Sequence, residues 1–339
     1  MKEQASEQSS IVTADDVAEA AGVSRWTVAR AFKAGASISQ KSRDKILSVA
    51  AELGYTPDLL ASSLASERTN QIALLVDDFH NPHKLPILNI LTEKLQLAGF
   101  TAILVNIAAG QTPSDGLLHA SQRRVDAAIL IGTQFDESLM QTALGARKLK
   151  KLVVFARESE DPNTLSVSCD NETAVGVITD YVISSGYKRP IYLAGPDTLS
   201  TSLKRKRTFV TKMSERGYSP PDIHSVSAYD PQLARNVMRE ILNNREGVKR
   251  PDIVLCENDV IAVGAIDVIR YEMGLRIPED IAVIGFDDIS LASSPAYNLT
   301  TYRQPLAEMA DCLIEMLQSP EEPRKKQLLL GEFVKRSSA

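Results

Sequence analysis

Carboxylate and amide side chains follow three apolar segments that have the length and composition of buried strands. The three sets are Asp77–Asp78, Glu257–Asp259 and Asp287–Asp288. In parallel α/β sheets the carboxyl ends of the strands meet at one edge, and ligands bind in the crevice there. Carboxylates and amides hydrogen-bond well to ligand hydroxyl groups. The sequence therefore predicts a cleft for a small polar ligand, with these side chains around it.

No set of residues suited to catalysis is evident in the sequence. The histidines are scattered, and none accompanies a Ser or Cys nucleophile at a recognisable motif; they are His80, His83, His119 and His224. His80 and His83 have the i, i+3 spacing of a metal pair, but proline interrupts the segment and no third ligand is evident. No glycine-rich phosphate loop follows a strand. We therefore predict a non-enzyme without a metal or cofactor.

A short basic helix near the N-terminus has the character of a DNA-reading helix. Arg25, Ala29 and Lys33 lie along one stripe of it, and Trp26 and Arg30 along the adjacent one. An apolar back with an Arg/Trp/Arg/Lys front suits the major groove of DNA. Alternatives remain for each residue: Trp26 could pack against the preceding helix, and Arg30 could belong to a solvated face.

The elements around this helix predict a helix-turn-helix. Thr13 and Asp16 have the spacing of a capping box, and Gly22 can adopt the left-handed conformation that ends a helix. Ser24 caps the next helix only a few residues later, which forces a sharp turn between two short helices. A third helix is predicted from near Ser39 to Leu53.

Beyond residue 71 the pattern becomes a regular alternation of strands and helices. Apolar runs of strand length alternate with amphipathic segments of helix length, which predicts parallel sheets covered on both faces. The number of strands indicates two α/β subdomains. The runs are Ile72–Val76, Ala102–Val105, Ala127–Ile131, Leu152–Phe155, Ile191–Ala194, Ile253–Cys256 and Ile281–Gly285.

The bulk composition bounds the class of protein. The chain has 339 residues and 44% hydrophobic residues, enough for two or three domains. Its net charge of −5 by itself argues against a nucleic-acid binder, but the segment 25–45 holds six basic residues and one acidic residue.

The cysteines Cys169, Cys256 and Cys312 have no paired spacing. With no apolar signal segment or membrane-spanning run, we expect a cytoplasmic, nucleoid-associated protein.

Four stretches of the sequence resemble the LacI (lactose-repressor) family of bacterial transcription regulators. They are Asp16–Ser24 with Thr27, Val28 and Arg30; Leu53–Pro57 with Ala61 and Leu64; Glu257–Gly264 with Gly274–Asp280 and Val283–Asp288; and Leu299–Leu306. The resemblance covers about Thr13 to Gly331. It implies a regulator, most often a repressor of carbohydrate-use genes, whose core resembles periplasmic sugar-binding proteins.

The resemblance also implies how DNA is bound. A homodimer binds a pseudo-palindromic operator, one recognition helix reads each half-site, and paired hinge helices insert a leucine, here Leu64, into the minor groove. Ser24 and Thr27 are expected to contact phosphate, while Lys33, Lys41 and Arg43 are either phosphate contacts or surface charges. The full set of candidate DNA-binding residues is Thr13, Ser24, Arg25, Trp26, Thr27, Ala29, Arg30, Lys33, Ala61 and Leu64.

For the effector, the resemblance implies contacts from Asn81, His83, Asn171, Arg205, Asn258 and Asp287. Arg205 lies in the run Lys204–Arg207, so a solvated face is the alternative for it. His83 and Lys84 stand where many family members have aromatic residues, and together with Arg205 they favour an anionic ligand such as a sugar acid or sugar phosphate. Closing the cleft on this effector is expected to shift the subdomains and to make or break the hinge helices.

The domain boundaries follow from these patterns. We expect a lead-in at 1–10, the helix-turn-helix domain at 11–56, the hinge at 57–70 and the effector-binding and dimerisation core at 71–339. The core divides into an N-subdomain at about 71–185 and 302–327 and a C-subdomain at about 186–300 and 328–339, with crossovers near Gly186, Thr301 and Leu328.

Two other functions compete with a regulator. A cytoplasmic solute-binding sensor would not explain the basic DNA-reading helix. An enzyme of sugar metabolism would need a set of catalytic residues, and none is evident in the sequence.

Overall fold

The computed structural model describes residues 12–33, 35–57, 68–107, 113–132, 151–159, 164–196, 204–244, 249–319 and 325–339. Contacts divide the chain into two compact units, Met1–Thr69 and Asn70–Ala339. The hinge positions Ala61 and Leu64 lie outside the described residues. Within the described ranges, no helix combines the length and the apolar composition needed to cross a membrane.

The first unit is the predicted helix-turn-helix. Its helices are α1 (Ala14–Ala21), α2 (Arg25–Phe32) and α3 (Gln40–Leu53). The capping box is confirmed, since the Thr13 hydroxyl accepts from the Asp16 N–H and the Asp16 carboxylate accepts from the Thr13 N–H at 2.7 Å. Gly22 ends α1 at φ 65°, a conformation that costs glycine little and other residues more.

A small apolar cluster holds these three helices together. The fully buried side chains of Val17, Ala21, Val28 and Ile46 pack at its centre. Phe32 packs at the edge of the cluster, with its ring centroid 5.7 Å from that of Tyr55 in an edge-to-face arrangement. Because the apolar face of α2 is buried here, its opposite face, with Arg25 and Trp26, is exposed.

Arg43 is a structural residue of this unit. Its guanidinium donates to the carbonyl oxygens of Ala31 at 2.8 Å, Lys33 at 3.3 Å and Ala36 at 3.2 Å, which lie at the end of α2 and in the following turn. Of the two alternatives for Arg43, surface charge or phosphate contact, neither describes this role. The side chain satisfies carbonyl groups that the end of a helix leaves without partners.

We therefore expect Arg43→Ala to destabilise the DNA-reading unit by about 1.5–3 kcal/mol, the usual value for hydrogen bonds from a charged donor. Lys41→Ala, an exposed change on the same helix, is expected to stay within about 0.5 kcal/mol of wild type. Urea denaturation followed by the fluorescence of Trp26, the single tryptophan of the chain, measures both. Equal midpoints for the two variants would contradict this role.

The second unit contains two lobes, each built on a parallel sheet. The first lobe has a six-stranded sheet in the order β11-β5-β4-β3-β1-β2. Helices α4 (Lys84–Leu97) and α10 (Leu306–Gln318) pack on one face of it, and α5 (Pro113–Gln122) packs on the other. The strands are β1 (Gln71–Val76), β2 (Thr101–Asn106), β3 (Ala127–Ile131), β4 (Lys151–Phe155), β5 (Leu165–Cys169) and β11 (Lys326–Leu329).

The second lobe has a four-stranded parallel sheet in the order β7-β6-β8-β9. Helices α6 (Asn171–Ser184) and α7 (Arg205–Glu215) cover one face, while α8 (Pro231–Asn243) and α9 (Asp259–Asp267) cover the other. A π-helical turn at Val268–Glu272 extends α9, and a 3-10 helix spans Ser290–Ser293. The strands are β6 (Pro190–Ala194), β7 (Asp222–Ser225), β8 (Ile253–Cys256) and β9 (Ala282–Ile284).

The predicted fold class is confirmed: an all-α helix-turn-helix is followed by two parallel-sheet α/β subdomains. The apolar runs missed five strands, β5, β7, β10 (Thr301–Arg303), β11 and β12 (Glu332–Val334), of which β10 and β12 form a separate antiparallel pair. Their alternating or polar residues lack the continuous apolar run of the others. Two of the five, β10 and β11, lie where the family resemblance implied crossover strands, near Thr301 and Leu328. Helix α6 packs on the second sheet, so the chain changes sheet before Asn171, ahead of the crossover expected near Gly186.

Candidate functional site

A cavity lies between the two lobes, at the carboxyl ends of their strands. From the first lobe, His83 and Lys84 at the start of α4 line it together with Arg157 after β4. From the second lobe, Arg205 and Asp287 line it. Of the effector residues expected from the sequence, the cavity brings together Asn81, His83, Arg205, Asn258 and Asp287, and Asn171 lies directly behind Arg205.

Asp287, Gln304 and His83 form a triangle of contacts across this cavity. The Gln304 side-chain amide donates to Asp287 Oδ1 at 2.7 Å, and its nitrogen lies 3.2 Å from His83 Nε2. Because the amide nitrogen is the donor, His83 Nε2 must accept, and the neutral ring then carries its proton on Nδ1. His83 of the first lobe and Asp287 of the second lobe therefore both contact Gln304, which directly follows β10.

Asp287 also has an unusual backbone. It adopts φ 118° and Asp288 adopts φ 56°, both in the region that favours glycine. Each such residue costs of order 1–3 kcal/mol and persists where the surroundings hold it in place. Asp288 helps to stabilise this turn, since it forms ion pairs with Arg303 at 2.7 Å and with Arg336 at 2.8 Å. The turn directs the Asp287 carboxylate into the cavity, while Asp288 acts as a structural residue.

Arg205 is fixed in position by contacts on three sides. Its Nε donates to Asn171 Oδ1 at 2.7 Å and its Nη1 donates to the Glu257 carbonyl at 2.8 Å. The guanidinium stacks on the Phe286 ring at 3.6 Å, and its Nη2 lies 3.9 Å from Asp287 Oδ1. The alternative of a solvated face does not hold for Arg205, which is 5% exposed. Asn171 positions this arginine.

The remaining amide residues serve the local backbone as well as the cavity. Asn258 Oδ1 caps α9 by accepting from the Ile261 N–H at 3.0 Å, so its amide nitrogen is the group left for a ligand. Asn81 Oδ1 accepts from the His83 N–H at 3.0 Å, which fixes the turn that places His83 in the cavity.

Two other carboxylates at strand ends are buried structural groups. Glu257 accepts from the Gly195 N–H and the Tyr229 hydroxyl, and Asp259 accepts from the Thr301 hydroxyl and the Ile289 N–H. Burial raises the pKa of both carboxyls, most strongly for Asp259. The expectation that every strand-end carboxylate serves the cleft is therefore too broad.

His83 gives the protein a testable pH dependence. Burial lowers its pKa below the ordinary 6.5, opposed by Asp287 and supported by Lys84 and Arg205. The unfolded chain takes up a proton at this residue at a higher pH than the native protein does. Stability is therefore expected to fall as the pH drops below about 6.5. His83→Gln should flatten the melting temperature between roughly pH 5 and 6.5.

The exposed His119, changed to Gln, is the matched control and should leave the wild-type pH profile intact. Parallel melting curves for wild type and His83→Gln across this pH range would show that His83 is not the titrating group.

On the first unit, the exposed face of α2 carries the candidate DNA-reading side chains. Trp26 is 68% exposed, so the alternative in which it packs against α1 does not hold. The Arg30 guanidinium stacks on the Trp26 ring at 4.4 Å and donates to the Ser37 carbonyl. Arg25 pairs with Asp15 at 3.2 Å, an exposed contact that competes weakly with DNA. Thr13 and Ser24 cap their helices.

Comparison with known proteins agrees with both parts of this description. The family model for bacterial regulatory proteins of the lacI family matches residues 13–58, and the model for a periplasmic binding protein-like domain matches residues 179–339. By these matches the chain is similar to the lacI family of bacterial regulatory proteins. It is a DNA-binding regulator with a ligand-responsive core.

Relatives of known identity align over almost the whole chain. The HTH-type transcriptional repressor PurR of Photobacterium profundum is 29% identical over 310 residues, covering 91% of each chain. A PurR repressor of Klebsiella pneumoniae subsp. pneumoniae is 28% identical, covering 91% of this chain and 89% of the relative. Among solved structures, the lac repressor dimer bound to operator and the anti-inducer ONPF has a TM-score of 0.83 at 23% identity, covering 96% of this chain and 98% of that one.

A further structural neighbour is the transcriptional regulator CelR in complex with cellobiose. It has a TM-score of 0.68 at 24% identity and covers 97% of this chain and 100% of that one.

Two residues that line the cavity, Gln304 and Arg157, were not expected there from the sequence. The sequence placed Gln304 only within the motif Leu299–Leu306, because its contacts with His83 and Asp287 form only in the folded chain.

Proposed function

We propose that the protein is a transcriptional repressor that binds a pseudo-palindromic operator as a homodimer and changes its DNA affinity when a small molecule occupies the cleft. The observation that carries this proposal is the stacked pair of the exposed Trp26 and the half-buried Arg30 on α2, in the same chain as a polar cavity between two lobes. Two relatives over 91% of the chain are named repressors. A repressor has no need of catalysis, so we propose no enzymatic activity.

On the DNA side, α2 would lie in the major groove of each half-site. Arg25, Trp26, Ala29 and Arg30 would face base edges, since three of these side chains are exposed and Arg30 is half-buried. Ser24, Thr27 and Lys33 would contact phosphates, and Thr13 would meet the backbone near α1. Ala61 and Leu64 would enter the minor groove from the hinge at 57–70, which lies largely outside the described residues.

Self-association is supported by exposed leucines on the first lobe. Leu104 lies on the edge strand β2 and is 53% exposed. Leu85 and Leu97 on α4 and Leu118 on α5 are also exposed, and both helices pack beside β2. Exposed apolar side chains of this size at one sheet edge are typical of an interaction surface. We propose this edge as part of the homodimer interface in the core, residues 71–339.

For the effector, Asn81, His83, Arg205, Asn258 and Asp287 would contact the ligand and Asn171 would hold Arg205 in place. A ligand that contacts both lobes stabilises their closed arrangement over the open one, which shifts the population towards it. The lac repressor and CelR structures, which contain ONPF and cellobiose, support a carbohydrate-derived effector. We propose that the protein acts in the cytoplasm, on DNA of the nucleoid.

Selection from a pool of random duplex DNA tests this function most simply. Full-length protein is mixed with the pool, bound DNA is amplified, and enriched sequences are read. We expect two inverted half-sites whose centres lie about one helical turn, or a multiple of it, apart. A ligand-binding protein that enriches no DNA would instead support the solute-binding alternative. Enrichment of a single, unrepeated half-site would contradict the dimer.

A further inference from the structure

An ion pair joins the two lobes beside the cavity rather than inside it. The Lys204 ammonium, on the second lobe, donates to Glu158 Oε2, on the first lobe, at 3.0 Å. Neither residue is among the described residues that line the cavity. Each directly adjoins an arginine that does line it, Arg157 for Glu158 and Arg205 for Lys204. The pair therefore lies at the margin of the cleft, outside the surface that faces a ligand.

Each partner of this ion pair is fixed to its own lobe. Glu158 closely follows β4, and the intervening Ala156 N–H donates to the Val167 carbonyl of β5 at 2.9 Å. Lys204 directly precedes α7, and its carbonyl accepts from the Thr208 N–H of that helix at 2.8 Å. Helix α7 packs on the second sheet. A movement of the lobes away from each other must therefore separate the Lys204 ammonium from the Glu158 carboxylate.

Glu158 has a second partner, and this one lies on its own lobe. Lys326 of β11 also contacts Glu158 Oε2, and β11 pairs with β5 in the first sheet. The Glu158 side chain is only 6% exposed, so its carboxylate would be costly to leave without a cation. Lys326 remains beside it when the lobes separate. Opening the lobes therefore loses the ion pair with Lys204 without leaving a buried carboxylate unpaired.

Lys204 can make the corresponding exchange with water. Its side chain is 26% exposed in the arrangement described here, so its ammonium lies close to solvent. An ammonium that returns to water regains its hydration when it leaves the carboxylate. Both partners of the ion pair thus have an alternative in the open arrangement, Lys326 for the one and water for the other. The contact is reversible for this reason.

From this geometry we propose that Lys204 and Glu158 form a latch that stabilises the closed arrangement of the lobes before any ligand binds. A contact that is made in one of two arrangements shifts the population towards that arrangement. The latch thereby sets the closed fraction of the ligand-free core, and with it the shift that a ligand can still produce. This proposal rests on the proposed function, because it names a device that regulates the same core.

Distances between two spin labels, one on each lobe, test the latch in the full-length protein without ligand or DNA. The labels are attached at Glu93→Cys on α4 and Glu215→Cys on α7, since both positions are exposed. The background carries Cys312→Ala, because Cys169 and Cys256 are buried and Cys312 is only partly so. Pulsed dipolar spectroscopy then gives the fractions of short and long distances between the lobes.

Lys204→Met is expected to lower the ratio of short to long distances by about threefold or more, a typical effect for residues in direct contact. Methionine keeps an apolar stem and removes the charge. Lys204→Glu places a like charge beside Glu158 and should open the lobes further. Glu158→Gln, which removes the charge from the other partner, should resemble Lys204→Met.

Lys326→Met is the matched control. It removes a lysine from the same carboxylate oxygen, but within one lobe, so we expect no shift towards long distances. Circular dichroism of each labelled variant verifies that it is folded. Distances that stay as in wild type in both Lys204→Met and Lys204→Glu would overturn the proposal. Equal opening by Lys204→Met and Lys326→Met would also overturn it, since a contact within the first lobe would then have the same effect.

Selection of operator DNA with the wild-type protein separates the latch from the proposed function. A protein that enriches paired half-sites but whose lobes do not respond to Lys204→Met or Lys204→Glu would remain a regulator, and only the latch would be wrong. A protein that enriches no DNA but whose lobes open in these variants would refute the function and leave the latch standing.

Discussion

Replacing Arg30 with alanine is expected to abolish specific operator binding. A good bidentate base contact contributes about 1–3 kcal/mol, and a dimer would lose one in each half-site. The combined loss of about 2–6 kcal/mol corresponds to a reduction in affinity of about 30-fold or more. Arg30 also anchors the Trp26 ring by stacking at 4.4 Å, so the variant frees the neighbouring reading side chain as well. Fluorescence anisotropy with the selected operator measures the effect.

Lys45→Ala is the control for loss of charge alone, since Lys45 is an exposed residue of α3 outside the reading face. It should reduce binding to operator and to random DNA to the same small extent. Ligand-induced stabilisation of the core should be unchanged in both variants, because the ligand cavity belongs to the other compact unit. Specific binding that survives Arg30→Ala would show that α2 reads DNA through other side chains.

Replacing Asp287 with asparagine is expected to remove the response to ligand. Its carboxylate accepts from Gln304 at 2.7 Å and faces His83 at 3.7 Å and Arg205 at 3.9 Å, so it joins groups from both lobes. Removing one partner of a buried charge pair typically costs about 2–5 kcal/mol. Ligand affinity should therefore fall by about 30-fold or more. Asparagine keeps the size of the side chain and an oxygen that can accept from Gln304, so it disturbs the local structure less than alanine would.

Isothermal titration with a ligand identified by thermal shift measures the affinity, and operator binding without ligand serves as the control. We expect Asp287→Asn to bind operator as wild type does, since the residue lies far along the chain from the DNA-reading unit. A wild-type ligand isotherm for Asp287→Asn would exclude Asp287 from the site.

The parts of the fold that local chemistry specifies could be predicted from the sequence. The capping box of Thr13 and Asp16 and the left-handed Gly22 depend on residues three or four positions apart, and the structure has both. The seven apolar runs form strands in the structure. Short continuous runs of β-branched and aliphatic residues are typical of strands buried on both faces. Strand β7 (Asp222–Ser225) was missed because it is a polar edge strand whose identity depends on its pairing with β6.

The cleft could be predicted only in outline, for the same reason. Parallel topology predicts that the polar residues at the strand ends lie close together. The role of each residue, however, depends on partners that are distant in the sequence. Gln304 and His83 meet across 221 positions, and Arg205 contacts Asn171 across 34. The sequence therefore could not distinguish Asn171, which positions an arginine, from Asp287, which faces the cavity. In the same way, it could not show that Arg43 holds the turn after α2.

We expect occupancy of the cleft to control DNA binding. The direct measurement is an anisotropy titration of the selected operator with full-length protein, with a ligand identified by thermal shift absent and then at saturation. We expect operator affinity to change by about fivefold or more in one direction, since coupling free energies between sites are typically about 1–3 kcal/mol. An operator affinity that stays constant while the cleft is saturated would contradict it.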